Sequence, residues 1–281
     1  RRYGFPAPLR DGQGERVYPV EQVQRLRLLK RLLDAGHRPG RVVPASAEAL
    51  ETLLQQRPAG QAAAVAPATG VSAQELDRYV EVLRAHDVEG LRRLLSQAVL
   101  RMGLGACVLE LIAPLTTRVG DNWMRGELEV FEEHIYTECL QQILRQSLQG
   151  IPRLALAERP RVLLSTLPGE QHSLGLLMVE CLLTLEGCQC LSLGVQTPLD
   201  ELPRAAAAHR ADIVALSFSG YLSSGLVQRG LSSLRAQLRP EAELWAGGRS
   251  PALQRRAGVA GVRYVTELAE VAGEVARWRQ Q

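Results

Sequence analysis

The stretch VLLSTLPGEQHSLG, residues 162–175, decides the fold and the candidate site of this chain. It opens with an apolar run typical of a buried strand, and a helix-like stretch, residues 176–185, follows it. Between them lies Glu170-x-His172-x-x-Gly175. A carboxylate two residues before a histidine at the tip of a strand can accept the proton of one imidazole nitrogen and leave the lone pair of the other for a metal. The stretch therefore predicts a βα unit in which His172 is a metal ligand and Glu170 orients it.

Strands and helices alternate from residue 160 onward. The candidate strands are 162–165, 189–193, 213–217, 243–246 and 262–265, and the candidate helices are 173–185, 198–209, 222–238, 251–257 and 268–278. This alternation predicts a five-stranded parallel, Rossmann-like α/β sheet. Ligands of such sheets bind beyond the carboxyl ends of the strands. Because His172, Ser217 and Gly247 each fall at or just after the end of a predicted strand, we expect them on that edge.

Two further features lie downstream of the histidine, namely Ser217 with Ser219, and the pair Gly247-Gly248. Acidic-x-His-x-x-Gly, then Ser, then Gly-Gly resembles the cobalamin-binding module of methionine synthase and its relatives. The resemblance implies that His172 replaces the cofactor's own base beneath cobalt as the lower axial ligand. It also implies that the displaced nucleotide tail enters the domain.

The remaining residues of this set would then accommodate the tail. Ser217 and Ser219 could hydrogen-bond the buried nucleotide base, while Gly247 and Gly248 leave room where a side chain would clash. Gly175 would let the helix start approach closely. The alternatives are a surface histidine on a βα loop with ordinary turn glycines, and a degenerate site that has lost its ligand.

The pattern between residues 72 and 150 is helical throughout. Ser72 to Glu75 resembles a capping box, and three more helices are predicted at about 88–102, 104–119 and 127–147. Glycines fall at or near the joints. Four amphipathic helices with short connections predict a four-helix bundle.

This bundle carries a second signature, because Trp123 lies ten residues before Glu133-His134. The spacing resembles the Trp-x9-Glu-His motif of MerR-type, cobalamin-dependent, light-sensing transcriptional repressors. The resemblance implies that the bundle caps the upper face of adenosylcobalamin, with Trp123 and Val130 near the adenosyl group and Glu133 and His134 in its pocket. An indole suits an apolar wall against sugar and purine. The alternatives are a core tryptophan and a solvated Glu-His pair.

Met124 departs from the family pattern. In the light sensors of this group, a histidine follows the tryptophan and becomes the upper cobalt ligand once light has removed the adenosyl group. A thioether is a softer and weaker partner for oxidised cobalt than imidazole. We therefore expect adenosylcobalamin binding, with Met124 and His134 as the candidate upper-face partners.

The first 44 residues are basic. They hold ten basic and four acidic residues, a net charge of +6, so the rest of the chain carries −3 of the overall +3. This asymmetry predicts contact with a polyanion at one end of the chain. A solvated, arginine-rich helix face is the alternative.

The same segment resembles the middle of a MerR-type, winged-helix DNA-binding domain, from RRYGFP at residues 1–6, through RVY at residues 16–18, to a helix rich in Leu and Arg. The resemblance implies a wing in which Arg10, Arg16 and Tyr18 contact DNA phosphates. Since the chain begins at an arginine and not at Met, we expect a missing start, and we expect the helix-turn-helix to precede it.

Together these parts predict a multidomain α and α/β chain. Its segments are a partial MerR-type DNA-binding domain at 1–44 without its helix-turn-helix, a short helix and linker at 45–71, a four-helix bundle cap at 72–150, and a Rossmann-like cobalamin-binding domain at 151–281.

Composition narrows the function further. The five cysteines form no CxxC pair and have no zinc partner nearby, which is typical of a reducing cytoplasm. No apolar run has the length of a membrane span, and no signal peptide is recognisable, so we expect no membrane partner. Neither a Ser-His-Asp set nor a P-loop is apparent, so the sequence does not favour an enzyme.

The resemblances imply a cobalamin-dependent, light-responsive transcriptional regulator. In such a regulator the adenosylated cofactor favours a homo-oligomer, a dimer or tetramer, that binds operator DNA, and light removes the adenosyl group and breaks the oligomer. One alternative is a corrinoid carrier for methyl transfer. The other is a cofactor-free module that only oligomerises.

Overall fold

The computed structural model describes residues 5–10, 12, 14–34, 37–55, 71–151, 159–254 and 258–281. They fall into two compact units. The first comprises the residues up to His86 together with Leu115–Ile135, and the second comprises Asp87–Pro114 together with Tyr136–Gln281. Within the described ranges, no helix combines the length and the apolar character needed to cross a membrane.

The elements of the described residues follow one another in this order: β1 (Leu9–Arg10), β2 (Arg16–Val17), α1 (Val20–Asp34), α2 (Pro39–Val42), α3 (Ala47–Gln55), α4 (Ala73–Arg84), α5 (Val88–Met102), α6 (Leu104–Ala106), a π-helix (Cys107–Ile112), α7 (Ala113–Arg125), α8 (Val130–Gln149), β3 (Arg161–Ser165), α9 (Leu174–Leu185), β4 (Gln189–Ser192), α10 (Glu201–Ala208), β5 (Ile213–Phe218), α11 (Ser224–Gln237), β6 (Glu243–Gly248), β7 (Val262–Val265), a 3-10 helix (Leu268–Glu270) and α12 (Val271–Arg279).

Two short strands of the first unit form an antiparallel pair where the wing is predicted. Arg10 of β1 lies opposite Arg16 of β2, and both strands are exposed. A pair of two-residue strands does not define a winged helix, which stays a prediction. Residues 1–4 and Gly36, where the predicted segment begins and its helix ends, lie outside the described residues.

The helix that follows has one buried face because its leucines recur at helical spacing. Leu29 and Leu32 of α1 share a buried cluster with Val42 of α2 and Leu50 of α3. The short helix predicted after residue 45 is therefore present as α3. Most of the predicted linker, residues 56–70, lies outside the described part of the chain.

The four helices predicted between residues 72 and 150 are present, and their residues are distributed over both units. The Ser72 hydroxyl accepts a hydrogen bond from the Glu75 backbone N–H at 3.1 Å, which caps α4 as predicted. The fourth helix begins at Val130 and not at residue 127. The Glu132 carboxylate accepts a hydrogen bond from the Glu129 N–H at 2.7 Å, and this capping contact fixes the helix start.

The third helix is longer than predicted. It was expected to end at residue 119, but it continues through Gly120 to Arg125, with a π-helical stretch at Cys107–Ile112. A single glycine costs a helix only about 1 kcal/mol relative to alanine, so Gly120 does not stop it. The end comes at Gly126, whose φ of 74° lies in the left-handed region that glycine adopts easily.

The second unit contains the five-stranded sheet in the order β4-β3-β5-β6-β7, and all neighbouring strands are parallel. Leu163, Val214 and Leu244 lie side by side and join a buried cluster with residues of α10 and α11. Helix α9 contacts β3, β4, β5 and α12. Helices therefore cover both faces, as a parallel sheet requires.

All five predicted strands are present, with ends that differ by two residues or fewer. Ser217 and Gly247 are the next-to-last residues of β5 and β6, so they lie within these strands and not after them. The helix predicted at 251–257 is wrong. Residues 251–254 form turns in which N–H groups bond carbonyls three residues back, as Leu253 does to Ser250, and residues 255–257 lie outside the described residues.

Candidate functional site

A compact loop after β3 carries Glu170 and His172. The Thr166 hydroxyl donates to the Glu170 carbonyl at 2.7 Å, and the Glu170 N–H donates to the Leu167 carbonyl at 3.0 Å. Gly169 lies inside this turn at a φ of 86°, which few other residues adopt. The loop therefore returns Glu170 to the end of the sheet, just before α9 begins.

Glu170 and His172 form the carboxylate–histidine pair that the sequence predicts. The Glu170 side chain is fully buried, whereas that of His172 is 61% exposed. His172 Nδ1 lies 2.6 Å from Glu170 Oε1, which also accepts the His172 backbone N–H at 3.2 Å. An ionised carboxylate can only accept hydrogen bonds, so the proton lies on Nδ1 and Nε2 carries the lone pair that a metal ligand needs.

Ser219 completes this cluster from the neighbouring strand. Its backbone N–H donates to Glu170 Oε2 at 2.9 Å, and its hydroxyl lies 2.8 Å from the same oxygen and 3.0 Å from His172 Nδ1. The hydroxyl in turn accepts the Tyr221 N–H at 3.1 Å. The structure thus gives Ser219 a contact with the orienting carboxylate, and its contact with the nucleotide base stays a prediction.

These hydrogen bonds also keep Glu170 ionised. Burial alone raises the pKa of this carboxyl, because a charged group loses solvation in the interior. The hydrogen bonds from His172 and Ser219 favour the ionised form and outweigh burial, so the pKa of Glu170 lies below its ordinary value.

Ser217 and Gly175 approach each other closely where α9 starts. A Cβ atom on Gly175 would lie 2.9 Å from the Ser217 Oγ, so a side chain there would require the serine hydroxyl to move. The close approach of the helix start to a ligand stays a prediction. Within the part of the chain that the structure describes, the Ser217 side chain makes no hydrogen bond. Its hydroxyl is therefore available to a ligand.

Gly247 and Gly248 have a structural reason that the sequence does not reveal. Gly247 pairs with Ser217 in the sheet, and its Cβ would lie 2.6 Å from the Val265 carbonyl oxygen. Gly248 has a φ of 108°, and its Cβ would lie 2.2 Å from the Phe218 carbonyl oxygen. Neighbouring backbone thus demands both glycines, whether or not a ligand is bound.

A buried polar set beside this loop was missed by the sequence reasoning. The Ser165 hydroxyl donates to the Thr197 hydroxyl at 2.7 Å, and the Thr166 hydroxyl accepts the Gln196 N–H at 2.8 Å. These bonds tie the loop that carries Glu170 to the loop after β4. The signal was present in the Ser-Thr pair that ends an otherwise apolar strand.

The second predicted set lies in the first unit. Trp123 and Met124 belong to α7 and are partly buried, and Val130 begins α8 with 47% of its surface exposed. Glu133 and His134 follow in the same helix, and their carboxylate oxygen and Nδ1 are 2.8 Å apart. The carboxylate fixes the exposed imidazole at the helix surface.

Arg10, Arg16 and Tyr18 are exposed in the first unit, as phosphate-contacting residues must be. The two arginines are direct cross-strand neighbours, and Arg10 Nη1 donates to the Gly14 carbonyl at 2.5 Å. Side chains directly opposite in an antiparallel pair are close together, and like charges there repel. A bound anion would relieve that repulsion.

Comparison with known proteins defines the class of domain to which each segment belongs. Two family models, each described as a B12 binding domain, match residues 75–146 and 160–273. The fold is similar to that of the Methanosarcina barkeri monomethylamine corrinoid protein, at a TM-score of 0.56 and 18% identity over 75% of this chain and 100% of that one. The helical segment and the α/β segment are thus both of the cobalamin-binding type.

Two curated relatives narrow the class to one family. The HTH-type transcriptional repressor CarH of Myxococcus xanthus is 30% identical over 251 residues, which span 88% of this chain and 81% of CarH. The repressor CarA of the same organism is 30% identical over 220 residues, or 78% of this chain and 69% of CarA. The chain belongs to this family of B12-binding transcriptional regulators, which are not enzymes.

Proposed function

We propose that this regulator binds adenosylcobalamin and that His172 is the lower axial ligand of its cobalt. The observation that carries the proposal is the cluster of Glu170, His172 and Ser219, in which a buried carboxylate holds the proton on Nδ1 and leaves the Nε2 lone pair for a metal. The two B12 binding domain matches support it. When bound, the cofactor supplies a cobalt–carbon bond that light can break.

The nucleotide tail is proposed to lie along the ends of β5 and β6. Ser217 supports this position, because its hydroxyl makes no other hydrogen bond among the described residues and lies against Gly175. Gly247 and Gly248 keep this end of the sheet narrow. Ser219 serves the site through Glu170.

For the adenosyl group we propose contacts with Trp123, Val130, Glu133 and His134. The Trp-x9-Glu-His spacing supports this assignment, together with the hydrogen bond that fixes the His134 ring. Met124 stands where the light sensors carry a histidine. The Met124 thioether would therefore stabilise the light-exposed state less than imidazole at the family position does, and His134 is the other candidate upper-face partner.

The partner of the assembled protein is proposed to be operator DNA, bound in the cytoplasm by a homo-oligomer, a dimer or tetramer. The cross-strand pair Arg10 and Arg16 supports a phosphate contact. Their two guanidinium groups repel each other, and both attract a negatively charged phosphate. Tyr18 follows directly and is exposed. The cofactor controls assembly by binding one arrangement more tightly than the other.

The experiment is an absorption spectrum and a size-exclusion profile of the full chain with adenosylcobalamin, in the dark and after green light. We expect the chromophore to co-elute with an oligomer in the dark, and the oligomer to shrink after illumination. Cyanocobalamin, which has no adenosyl group, is the matched control and should leave both profiles equal. Loss of the chromophore on the column contradicts the proposal, and an oligomer unchanged by light contradicts its light-responsive part.

A further inference from the structure

An arginine-rich cavity lies at the amino-terminal edge of the sheet, the edge opposite to Glu170. Its volume is about 490 Å³, and Arg159, Arg161, Arg210 and Arg239 line it. The cavity lies at the starts of three parallel strands. Arg161 begins β3, Arg210 precedes β5, and Arg239 precedes β6. It is therefore separate from the proposed cobalamin site.

The two acids of the cavity offset only part of the charge of its four arginines. Asp212 is committed to the fold, because it forms an ion pair with Arg159 and accepts the Arg161 backbone N–H at 2.8 Å. Arg239 donates to the Ala211 carbonyl at 3.1 Å and forms no ion pair with another of the described residues. Glu241 is the remaining acid.

Arg210 is the most unusual member of this group. It ends α10 at a φ of 50°, in the left-handed region where glycine is the common residue. Among the described residues its guanidinium has no hydrogen-bond or ion-pair partner. The Ala211 N–H donates to the Ala206 carbonyl at 2.8 Å, so a helix-ending turn accounts for this backbone conformation, and the exposed Arg210 guanidinium can contact a ligand in the cavity.

We propose that this cavity binds a mononucleotide through its phosphate. Guanidinium groups present planar donors that match phosphate oxygens. Trp278, which also lines the cavity, offers an apolar surface to a base, and the Glu241 carboxylate can accept hydrogen bonds from ribose hydroxyls. The volume falls within the range of about 300–1,000 Å³ that small-ligand sites occupy.

The test is calorimetric titration of ADP into the full chain without cobalamin. We expect saturable binding that pyrophosphate displaces, and affinity at least about ten-fold lower in the double variant Arg210→Gln with Arg239→Gln, because charged hydrogen bonds are lost. Arg204→Gln is the matched control. Arg204 is exposed on α10, pairs with Glu201 and does not line the cavity, so its loss should leave ADP binding unchanged.

Arg210→Gly separates ligand binding from folding. Glycine relieves the left-handed backbone, so the melting temperature should rise while ADP affinity falls. The proposal is overturned if the wild-type chain does not bind ADP, if Arg204→Gln weakens ADP binding as much as the double variant does, or if the double variant loses affinity for duplex DNA alone. Cobalamin binding should be the same in all these variants.

Discussion

The carboxylate of Glu170 is the centre of the candidate site, because it holds His172 and Ser219 at once. It is fully buried and accepts hydrogen bonds on both oxygens. An imidazole oriented in this way keeps a single tautomer and ring position, which makes it a better metal ligand. The exposed ring of His172 thus depends on a residue that solvent does not reach.

Replacing Glu170 with Gln tests this dependence. An amide is uncharged and presents one acceptor oxygen in place of two, so it cannot accept from His172 Nδ1 and from the Ser219 backbone N–H at their present positions. We expect the affinity for adenosylcobalamin to fall about 10–100-fold, the usual effect of losing such an orienting partner. The measurement is a spectroscopic titration in the dark.

Glu201→Gln is the control for this variant, because Glu201 is an exposed partner of Arg204 in α10. Its affinity should equal that of the wild-type chain. If Glu170→Gln bound adenosylcobalamin as tightly as the wild-type chain does, the Glu170 carboxylate would not be what orients His172.

The sequence predicts part of this cluster and misses part of it. The acidic-x-His spacing identifies Glu170 and His172, because residues two apart in a tight loop remain neighbours in any fold. Ser219 lies 49 residues from Glu170 along the chain and meets it only because β5 pairs with β3. Its role depends on strand register, which apolar patterns do not specify to the atom.

At the scale of elements, Asp212 joins the starts of two strands. It precedes β5, accepts the backbone N–H of Arg161 in β3 at 2.8 Å, and pairs with Arg159. Burial raises the pKa of Asp212, but the hydrogen bonds from Arg159 and Arg161 outweigh it and hold this pKa below its ordinary value. The ionised carboxylate therefore stabilises the pairing of β3 with β5.

Asp212→Asn should lower the free energy of unfolding by about 1–3 kcal/mol at pH 7, because buried hydrogen bonds to a charged group are lost. The folded-state pKa lies below the unfolded value of about 3.9. The stabilisation is therefore present above that value and disappears as the pH falls through the folded-state pKa. Urea unfolding at pH 7 and near pH 3 should show the difference between variant and wild type shrinking.

Asp200→Asn provides the comparison, since Asp200 is exposed and its side chain does not cap α10. It should change stability little at either pH. A difference for Asp212→Asn that stays constant or grows on acidification would contradict the assigned role.

Periodicity predicts the sheet better than it predicts where elements end. All five strands are found because a parallel sheet buried on both faces needs short apolar runs. The helix expected at 251–257 fails because composition cannot distinguish a helical turn from successive tight turns. Neighbouring carbonyl oxygens exclude a side chain at Gly247 and Gly248, a reason that the sequence does not reveal, and the role of these glycines toward the nucleotide tail stays a prediction.

At the scale of the whole molecule, the order of the segments places two B12 binding domains after a basic segment. A basic segment precedes helices and an α/β sheet, the latter two each matching a B12 binding domain, and the relatives that share most of the chain are transcriptional repressors. The sequence predicts this order because each segment has its own pattern. It does not predict the arginine cavity, which assembles from chain segments far apart in sequence.

The most direct test of the account replaces His172 with Ala and follows adenosylcobalamin binding by absorbance in the dark. The account predicts a large loss of affinity and a spectrum without the signature of a protein nitrogen beneath cobalt. His209→Ala, at the exposed end of α10, should bind like the wild-type chain. An unchanged affinity and spectrum in His172→Ala would contradict the assignment of the cobalt ligand.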